Sequence, residues 1–480
     1  MSAVPPRTLH RLLAGWEEAG RGPSYVRLAT ALAGAVLDGR LPVPSRLPSE
    51  RETAAAMRIS RTTVAAAYGR LRDDGFLVSR RGAGSWTKLP DRPSRRVTAL
   101  LPGAGPTDLI DLALAAPGPD PDAIAAAVAA ATPNLPAELC GGHGYQPAGV
   151  WALRDAVAAR YRLRGAATSA DQILIAPGAQ GALHLIAEHL IEPGDVVLLE
   201  HPTYPNAVDA FRRARARLVP VTVTADGWDP DEMARTLDQV RPRFAYLVVD
   251  FHNPTSALLD EAGRERLVAA ARRSGTLLVI DETAAELPLN EQPLPPPVAA
   301  FDRDERVLTV GSMSKTFWGG LRLGWLRAGP RMIAELATSR SHLDLSGPVL
   351  EQLVGVQLLE QADRHLARRR VQLATQRDAL LCAVSERFPS WRCTVPAGGL
   401  SLWVTLDAAI STALADAAER HRLRLVPGPR FGIDGTLERF LRLPFTLPVE
   451  TLEEAVDRLA AAYVDMAAAG PRMPAPTLIA

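Results

Sequence analysis

Apolar positions in the N-terminal part of the chain recur with helical spacing. Over residues 23–40 they lie on one helix face, and Gly39 ends the pattern. A second helix is predicted over residues 50–57, because Ser49 and Glu52 stand at the two positions of a capping box. The apolar face of the first predicted helix consists of Val26, Leu28, Leu32, Val36 and Leu37.

A third helix and a hairpin follow. The helix is predicted over residues 61–74, with Ser60 at its N-cap position. Residues 76–79 and 85–87, joined by a Gly-rich turn, favour a small β-hairpin. Two helices with a tight connection and a hairpin after them predict a winged helix-turn-helix, an α+β domain.

The first turn of the third helix carries side chains that suit DNA. Arg61, Thr62 and Thr63 would meet phosphates or base edges in the major groove. Arg51 on the preceding helix and Arg81 at the tip of the hairpin would flank them. The alternative is a solvated three-helix bundle with incidental arginines.

The pattern changes after the hairpin. Residues 89–107 are rich in Pro, Gly and Arg without periodicity, which predicts a linker. From about residue 108, β-rich apolar runs alternate with helical patterns such as residues 181–191, 204–216 and 263–274. This alternation favours an α/β body with a mostly parallel sheet. Its predicted strands are residues 173–176, 196–199, 218–223, 244–249, 276–280, 307–310 and 323–326.

Charge separates the same two parts. Residues 1–96 carry 17 Lys/Arg against 8 Asp/Glu, a net charge of +9, whereas the remainder carries 37 against 45, a net charge of −8. A basic head on an acidic body predicts a polyanion partner for the head alone. With no long apolar run and three cysteines among 480 residues, we expect a cytoplasmic protein with reduced thiols, no membrane contact and no metal site.

One lysine in the body indicates covalent chemistry. Lys315 is one of only two lysines in the chain, and it lies among small and apolar residues. An amine, unlike a guanidinium, can lose its proton and add to a carbonyl. Ser312, Ser314 and Arg322 lie nearby in the sequence and suit a phosphate dianion. An amine beside a phosphate cradle suggests pyridoxal 5'-phosphate (PLP), although an ordinary surface lysine would be the simpler interpretation.

Further polar residues follow the predicted strands. The turn of Gly178, Ala179 and Gln180 could present backbone amides to an anion at a helix N-terminus. Tyr204 could stack on a pyridine ring and Asn253 could donate to its phenolic oxygen. Asp281 could pair with the pyridinium nitrogen. Each of these residues taken singly is more often structural.

The head resembles the GntR-family winged helix over residues 24–87. The resemblance rests on the segments 46–51 and 60–64, and on Asp74 with Gly75. It implies that the positions of Arg51, Arg61, Thr63 and the wing glycine Gly82 contact double-stranded DNA.

The body resembles fold-type-I aminotransferases over residues 108 to about 465, because the motifs follow one another in the family's order. The resemblance implies a PLP domain at residues 108–470, with a smaller α/β subdomain at about 365–470, after a head at 1–88 and before a tail at 471–480. It also implies that Arg442 holds a substrate carboxylate. The cofactor-binding residues are then Gly178, Ala179, Gln180, Tyr204, Asn253, Asp281, Thr283, Ser312, Ser314, Lys315 and Arg322.

Two positions depart from that family. A tyrosine usually follows the pyridinium-binding aspartate, but here Thr283 is the nearest hydroxyl, with a shorter reach. Ser256 stands in place of the glycine of the NPTG motif. These departures put fast transamination in doubt.

The whole chain resembles the MocR subfamily of GntR-family regulators. The resemblance implies a transcription factor that carries PLP on Lys315, responds to an amino compound or to PLP, and forms a homodimer, usually head-to-tail. The competing hypothesis is an active PLP-dependent aminotransferase carrying a DNA-binding head. A third is a DNA-binding protein whose body serves only for dimerisation.

Overall fold

The computed structural model describes residues 3–18, 22–80, 84–90, 108–133, 142–291 and 293–468. The predicted tail, most of the predicted linker, Arg81, Gly82 and Cys140 lie outside these residues. The chain forms two compact units. The head unit comprises Met1–Leu114, Gln376–Thr394 and Trp403–Ala480, and the sheet unit comprises Ala115–Thr375 and Val395–Leu402.

The head unit begins with the predicted winged helix-turn-helix. The three predicted helices and the hairpin are confirmed, and a short helix precedes them. The hairpin strands are antiparallel, with Leu77 opposite Thr87. The elements are α1 (Pro6–Leu12), α2 (Ser24–Leu37), α3 (Glu50–Met57), α4 (Arg61–Asp73), β1 (Leu77–Arg80) and β2 (Gly84–Thr87), followed by β3 (Ile110–Asp111).

Capping and burial explain why these helices form where they do. The Ser49 hydroxyl accepts from the Glu52 N–H (3.3 Å), and the Glu52 carboxylate accepts from the Ser49 N–H (2.8 Å), so the capping box of α3 is complete. Ser60 caps α4 by accepting from the Thr63 N–H (3.0 Å). The apolar faces of α2 and α4 meet in one core that includes Leu28, Leu32, Val36, Val64, Tyr68 and Leu71.

The sheet unit follows the predicted α/β alternation. Its helices are α5 (Pro121–Ala131), α6 (Trp151–Leu163), α7 (Gly178–Leu190), α8 (Pro205–Arg213), α9 (Pro230–Val240), α10 (Glu261–Ser274), α11 (Pro330–Ser339), α12 (Val349–Glu360) and the first part of α13 (Ala362–Arg387). Its strands are β4 (Ile173–Ala176), β5 (Val196–His201), β6 (Arg217–Thr224), β7 (Gly227–Trp228), β8 (Phe244–Leu247), β9 (Leu277–Asp281), β10 (Val307–Ser312) and β11 (Gly324–Arg327).

These strands form one sheet in the order β4-β11-β10-β9-β8-β5-β6-β7. Neighbours from β10 to β6 are parallel, and β11 is antiparallel to both of its neighbours. The carboxyl ends of β4, β5, β8, β9 and β10 therefore share one edge of the sheet, where ligands bind in such folds. The mostly parallel sheet is confirmed.

One strand is shorter than the sequence pattern predicts. The apolar run extends to Val249, but β8 ends at Leu247. The Val248 N–H donates to the side-chain carboxylate of the buried Glu200, on the neighbouring β5 (2.8 Å). A side chain that competes for a backbone donor ends the strand.

The head unit is completed by the C-terminal part of the chain. Here β3 pairs in parallel with β14 (Leu423–Arg424). A second sheet has the order β12-β13-β16-β15, formed by Arg392–Cys393, Ser401–Thr405, Phe440–Pro444 and Val426–Pro427. Two helices, α14 (Ser411–Arg420) and α15 (Val449–Ala468), accompany it. In the part of the chain that the structure describes, no helix combines the length and apolarity needed to cross a membrane.

Candidate functional site

The turn between β4 and α7 packs closely against the side chain of Arg322. Gly178 has a φ of +76°, a conformation that favours glycine. The Arg322 guanidinium donates to the Pro177 carbonyl (3.0 Å), and a Cβ on Gly178 would lie 2.7 Å from its Nη2. Any side chain at Gly178 would displace this guanidinium, so glycine is required for the cation to approach the helix N-terminus.

Strand β11 approaches the same turn. A Cβ on Gly324 would lie 2.7 Å from the backbone nitrogen of Ala179. The Gln180 side chain contacts His184 and the Asn206 carbonyl (3.3 and 3.4 Å). The first amides of the thirteen-residue helix α7 thus lie next to a fixed cation, an arrangement suited to a phosphate.

The lysine follows β10 in a single π-helical turn, Ser314–Trp318. The Ser312 hydroxyl hydrogen-bonds the Ser314 hydroxyl (2.9 Å) and lies 3.1 Å from the Leu323 carbonyl. The Lys315 ammonium donates to the Ala115 carbonyl (2.6 Å) within the sheet unit. The two serines and the amine therefore stand at the carboxyl end of β10, where the sequence predicts them.

Asp281, the last residue of β9, is buried, and each of its carboxylate oxygens accepts a hydrogen bond. One oxygen accepts from the Thr283 N–H (3.0 Å), and the other accepts from the Tyr246 hydroxyl (2.8 Å). Burial raises the pKa of Asp281, while Thr283, Tyr246 and the Lys315 charge oppose that shift. Burial and the neighbouring Asp281 raise the pKa of the Tyr246 phenol well above its ordinary range.

Sequence analysis missed Tyr246. It lies in the middle of a buried strand, where an aromatic residue is usual, and only the parallel pairing of β8 with β9 sets its side chain beside Asp281. The signal in the sequence is a single hydroxyl-bearing side chain within an apolar strand.

The residues predicted to contact a pyridine ring follow β5 and β8. The Tyr204 hydroxyl accepts from the Asn206 amide (2.9 Å) at the start of α8. Asn253 follows His252, whose ring contacts the Thr255 hydroxyl (2.9 Å) and the Glu200 carboxylate (3.3 Å). Buried partners thus fix the turn that carries Asn253, and the roles of Tyr204 and Asn253 stay predictions.

Ser256 shows why glycine is common at its position. Its φ is +59°, a conformation that disfavours most side chains. The hydroxyl donates to the Ser401 carbonyl (2.8 Å), a hydrogen bond that glycine cannot make. This bond offsets part of the backbone strain.

Helix α13 supports the lysine turn, which the sequence did not indicate. The His365 ring contacts the Thr316 carbonyl (2.9 Å) and stacks on Phe317 with ring centroids 4.7 Å apart. Arg369 donates to the carbonyls of Phe317 (3.3 Å) and Gly118 (2.7 Å). Burial lowers the pKa of His365, which favours the neutral ring.

Arg442 belongs to the head unit, on β16. It is buried, its guanidinium lies 4.9 Å from the centre of the Phe431 ring, and it donates to the Ala113 carbonyl. Its predicted role in holding a carboxylate stays a prediction.

The residues predicted to contact DNA lie at the start of α4 and on α3. Arg61 is 73% exposed and lies 3.5 Å from the Glu50 carboxylate. The Thr62 and Thr63 hydroxyls contact the Ser60 hydroxyl (2.7 and 2.8 Å), and Arg51 is exposed. The predicted contacts of Arg81 and Gly82 lie outside the described residues.

Known proteins share both parts of this chain. The aminotransferase class I and II family matches residues 110–459, and the gntR family of bacterial regulatory proteins matches residues 24–86. The sheet unit's fold is accordingly that of known aminotransferase structures. The crystal structure of LysN, the alpha-aminoadipate aminotransferase of Thermus thermophilus, in complex with N-(5'-phosphopyridoxyl)-L-leucine has a TM-score of 0.70 and 30% identity, covering 76% of this chain and 94% of LysN.

Two regulators are similar over much of their length. The uncharacterized HTH-type transcriptional regulator YdcR of Escherichia coli is 30% identical, over 87% of this chain and 94% of YdcR. The probable rhizopine catabolism regulatory protein MocR of Rhizobium meliloti is 27% identical, over 65% of this chain and 66% of MocR. The chain therefore belongs to the aminotransferase class I and II family and, with its fused GntR head, to the MocR subfamily of GntR-family transcriptional regulators.

Proposed function

We propose that this regulator binds double-stranded DNA through its head, holds pyridoxal 5'-phosphate at Lys315, and responds to an amino compound or to PLP itself. The observation that carries the proposal is the combination, in one chain, of an exposed Arg61 at the start of a capped helix with the Gly178–Arg322 contact at the sheet edge where β10 leads into the Lys315 turn. We further propose that it acts as a homodimer, because paired heads read paired half-sites, and that its subunits are arranged head-to-tail, as is usual in the MocR subfamily.

The residues present fit PLP. Ala179, Gln180, Ser312 and Arg322 would hold the phosphate, since a fixed guanidinium lies against glycine at a helix N-terminus. Asp281 would pair with the pyridinium nitrogen, and Lys315 would supply the amine. The cofactor, when bound, supplies an aldehyde that condenses reversibly with amines.

The surrounding residues orient these groups. Thr283 and Tyr246 each donate a hydrogen bond to one oxygen of Asp281, and the two hydrogen bonds together fix the plane of the carboxylate. His365 and Arg369 fix the backbone of the lysine turn. Arg442 would grip an effector carboxylate through its guanidinium. Side chains held in this way pre-organise the site for binding.

Aminotransferase activity is the second candidate function. The similarity to LysN over 94% of that enzyme favours it. Against it stands the chain segment after Asp281, where no phenol follows within several residues. Thr283 offers only a short hydroxyl there, and its N–H already serves Asp281. We therefore propose sensing as the main function of the site.

The two functions predict different responses to one ligand. We expect apoprotein loaded with N-(5'-phosphopyridoxyl)-L-leucine, the compound bound in LysN, to change its affinity by about 5- to 150-fold for DNA selected from a random pool. The affinity for the selected DNA is measured by fluorescence anisotropy and compared with that of the PLP-loaded protein. Equal affinities, together with keto-acid formation at about 1 s⁻¹ or faster on mixed amino acids, would identify an enzyme and contradict sensing.

Tyr246 gives a pH-dependent prediction. Its hydroxyl stabilises ionised Asp281, so Tyr246→Phe should raise the pKa of Asp281 further. Because the carboxylate is ionised only above that pKa, the acid limit of PLP retention should move to higher pH. A hydrogen bond to a charged group is worth about 1.5–3 kcal/mol, which corresponds to about one to two pH units.

The measurement is the fraction of PLP retained after desalting across a pH series. Tyr161→Phe is the matched control, because Tyr161 is also buried but its hydroxyl accepts from Trp325 (3.2 Å). An acid limit that does not move in Tyr246→Phe would show that this phenol leaves Asp281 unaffected.

A further inference from the structure

Within the head unit, the winged helix contacts the segment that leads into β16. The Leu437 N–H donates to the Leu37 carbonyl (2.6 Å) at the last residue of α2. The Asp434 carboxylate accepts from the Val43 N–H (3.1 Å), across 391 positions of sequence. We call residues 434–439 the relay segment. Both of these hydrogen bonds are made to the backbone of residues 37–43, at the end of α2 and just beyond it.

An ion pair joins the same two parts. The Arg439 guanidinium lies 3.5 Å from Asp38, the residue that follows α2, and Arg40 lies 3.4 Å from the other Asp38 oxygen. The Asp38 side chain is only 18% exposed. Burial raises the pKa of Asp38, and the two arginines oppose that shift. A partly buried carboxylate held between two cations depends on its partners, so its energy changes when Arg439 moves.

The relay segment is also tied to the neighbourhood of Arg442. Leu437 is buried with a φ of +77°, and a Cβ on Gly428 would collide with the carbonyls of Leu437 and Phe440. Gly428 begins the turn that contains Phe431, the ring beneath Arg442. The Phe440 ring stacks on Trp403 at 5.1 Å. A displacement of Arg442 and Phe431 would therefore act on Leu437 through close backbone contacts.

On the other side, α2 transmits movement to the recognition helix. Helices α2 and α4 share one buried core, and α4 carries Arg61 in its first turn. Close-packed cores respond to displacement as rigid bodies more than as fluids. A shift at Leu37 and Asp38 would therefore reorient Arg61.

We propose that the relay segment couples the occupancy of Arg442 to the orientation of the DNA-binding head. The inference rests on the proposed function, because it takes Arg442 as the group that grips the effector carboxylate. The coupling has two states, which differ in whether Asp434, Leu437 and Arg439 keep their contacts with residues 37–43, at and just beyond the end of α2. An effector that favours one state shifts DNA affinity by its differential affinity for the two.

The test removes the two side chains of the relay segment that contact the winged helix domain. The variant is Asp434→Ala with Arg439→Ala, and the probe is N-(5'-phosphopyridoxyl)-L-leucine loaded into apoprotein. We expect the ratio of DNA affinities with and without the probe to fall from at least about fivefold to below about twofold. Binding of the probe itself, followed by its absorbance, should be unchanged.

Two further variants make the result specific. Arg387→Ala removes another arginine of the head unit, whose partner Asp457 lies on α15, and should keep the full ratio. Asp434→Asn with Arg439→Lys keeps an acceptor for Val43 and a cation for Asp38, and should restore most of it. A merely structural tether would alter DNA affinity equally with and without the probe, leaving the ratio intact.

The outcomes separate the two proposals. An undiminished ratio in the double alanine variant overturns the relay and leaves the sensing function standing. A wild-type ratio of one, with the probe bound, overturns sensing and the relay together. A ratio lost in the double alanine variant, kept in Arg387→Ala and restored by the conservative pair, supports both.

Discussion

Replacing Lys315 with alanine is expected to abolish covalent retention of pyridoxal 5'-phosphate. The chain contains only two lysines, Lys88 and Lys315, so Lys88→Ala is an internal control that should retain the cofactor fully. Lys315→Arg keeps a positive charge but has no amine that adds to a carbonyl, and should fail as alanine does. The loss should be complete, because no other side-chain amine lies in the body.

The measurement is borohydride reduction followed by peptide mass spectrometry, with the visible absorbance of the desalted protein as a second readout. The structure supplies the reason to expect one modified position. Lys315 lies in the turn after β10, its charge opposes the rise in the pKa of Asp281 that burial causes, and Ser312 and Ser314 precede it. A cofactor mass on Lys88, or a visible band that persists in Lys315→Ala, would contradict the assignment.

Replacing Arg61 with alanine should weaken DNA binding by about 1–3 kcal/mol, which is about a 5- to 150-fold loss of affinity. Arg61 is 73% exposed at the N-terminus of α4, and its Glu50 contact of 3.5 Å is open to solvent. Such a contact contributes little to stability, so the fold should survive the change. Retention of PLP should not change.

The matched control is Arg72→Ala, which removes an exposed arginine from the last turn of the same helix. Binding is measured against the selected DNA at several salt concentrations. If Arg61 contacts a phosphate, the slope of log affinity against log salt should fall by about one. Equal losses in the Arg61 and Arg72 variants would indicate general electrostatic attraction and contradict a recognition role for the first turn of α4.

These predictions depend on features that the sequence reveals to different degrees. The helices of the head follow from local signals: Ser49 and Glu52 form their capping box within one turn, and Ser60 caps the next helix. Seven strands of the main sheet follow from short apolar runs between helical patterns. The end of β8 could not be predicted, because Glu200 on another strand captures the Val248 N–H.

The candidate site shows the same division. Lys315 stands out by composition alone, and the order of the motifs after successive strands predicts which edge of the sheet they share. The contact of Arg322 with the turn at Pro177 and Gly178 joins parts of the chain that are 145 positions apart in the sequence. Nothing in the sequence around Arg322 indicates that it contacts Gly178 and Pro177. A glycine at the start of a helix is the one local feature that points to a close approach there.

What the sequence determined by itself is the set of local elements and the identity of the reactive groups, since periodicity, caps and rare residues act over a few positions. Only the tertiary structure decided that Tyr246 donates to Asp281, that α13 supports the lysine turn, and that Asp434 and Arg439 contact Val43 and Asp38 in the segment after α2. The physical reason is that these contacts depend on strand pairing and chain reversal. Both are settled by burial of the whole chain, which no single segment encodes.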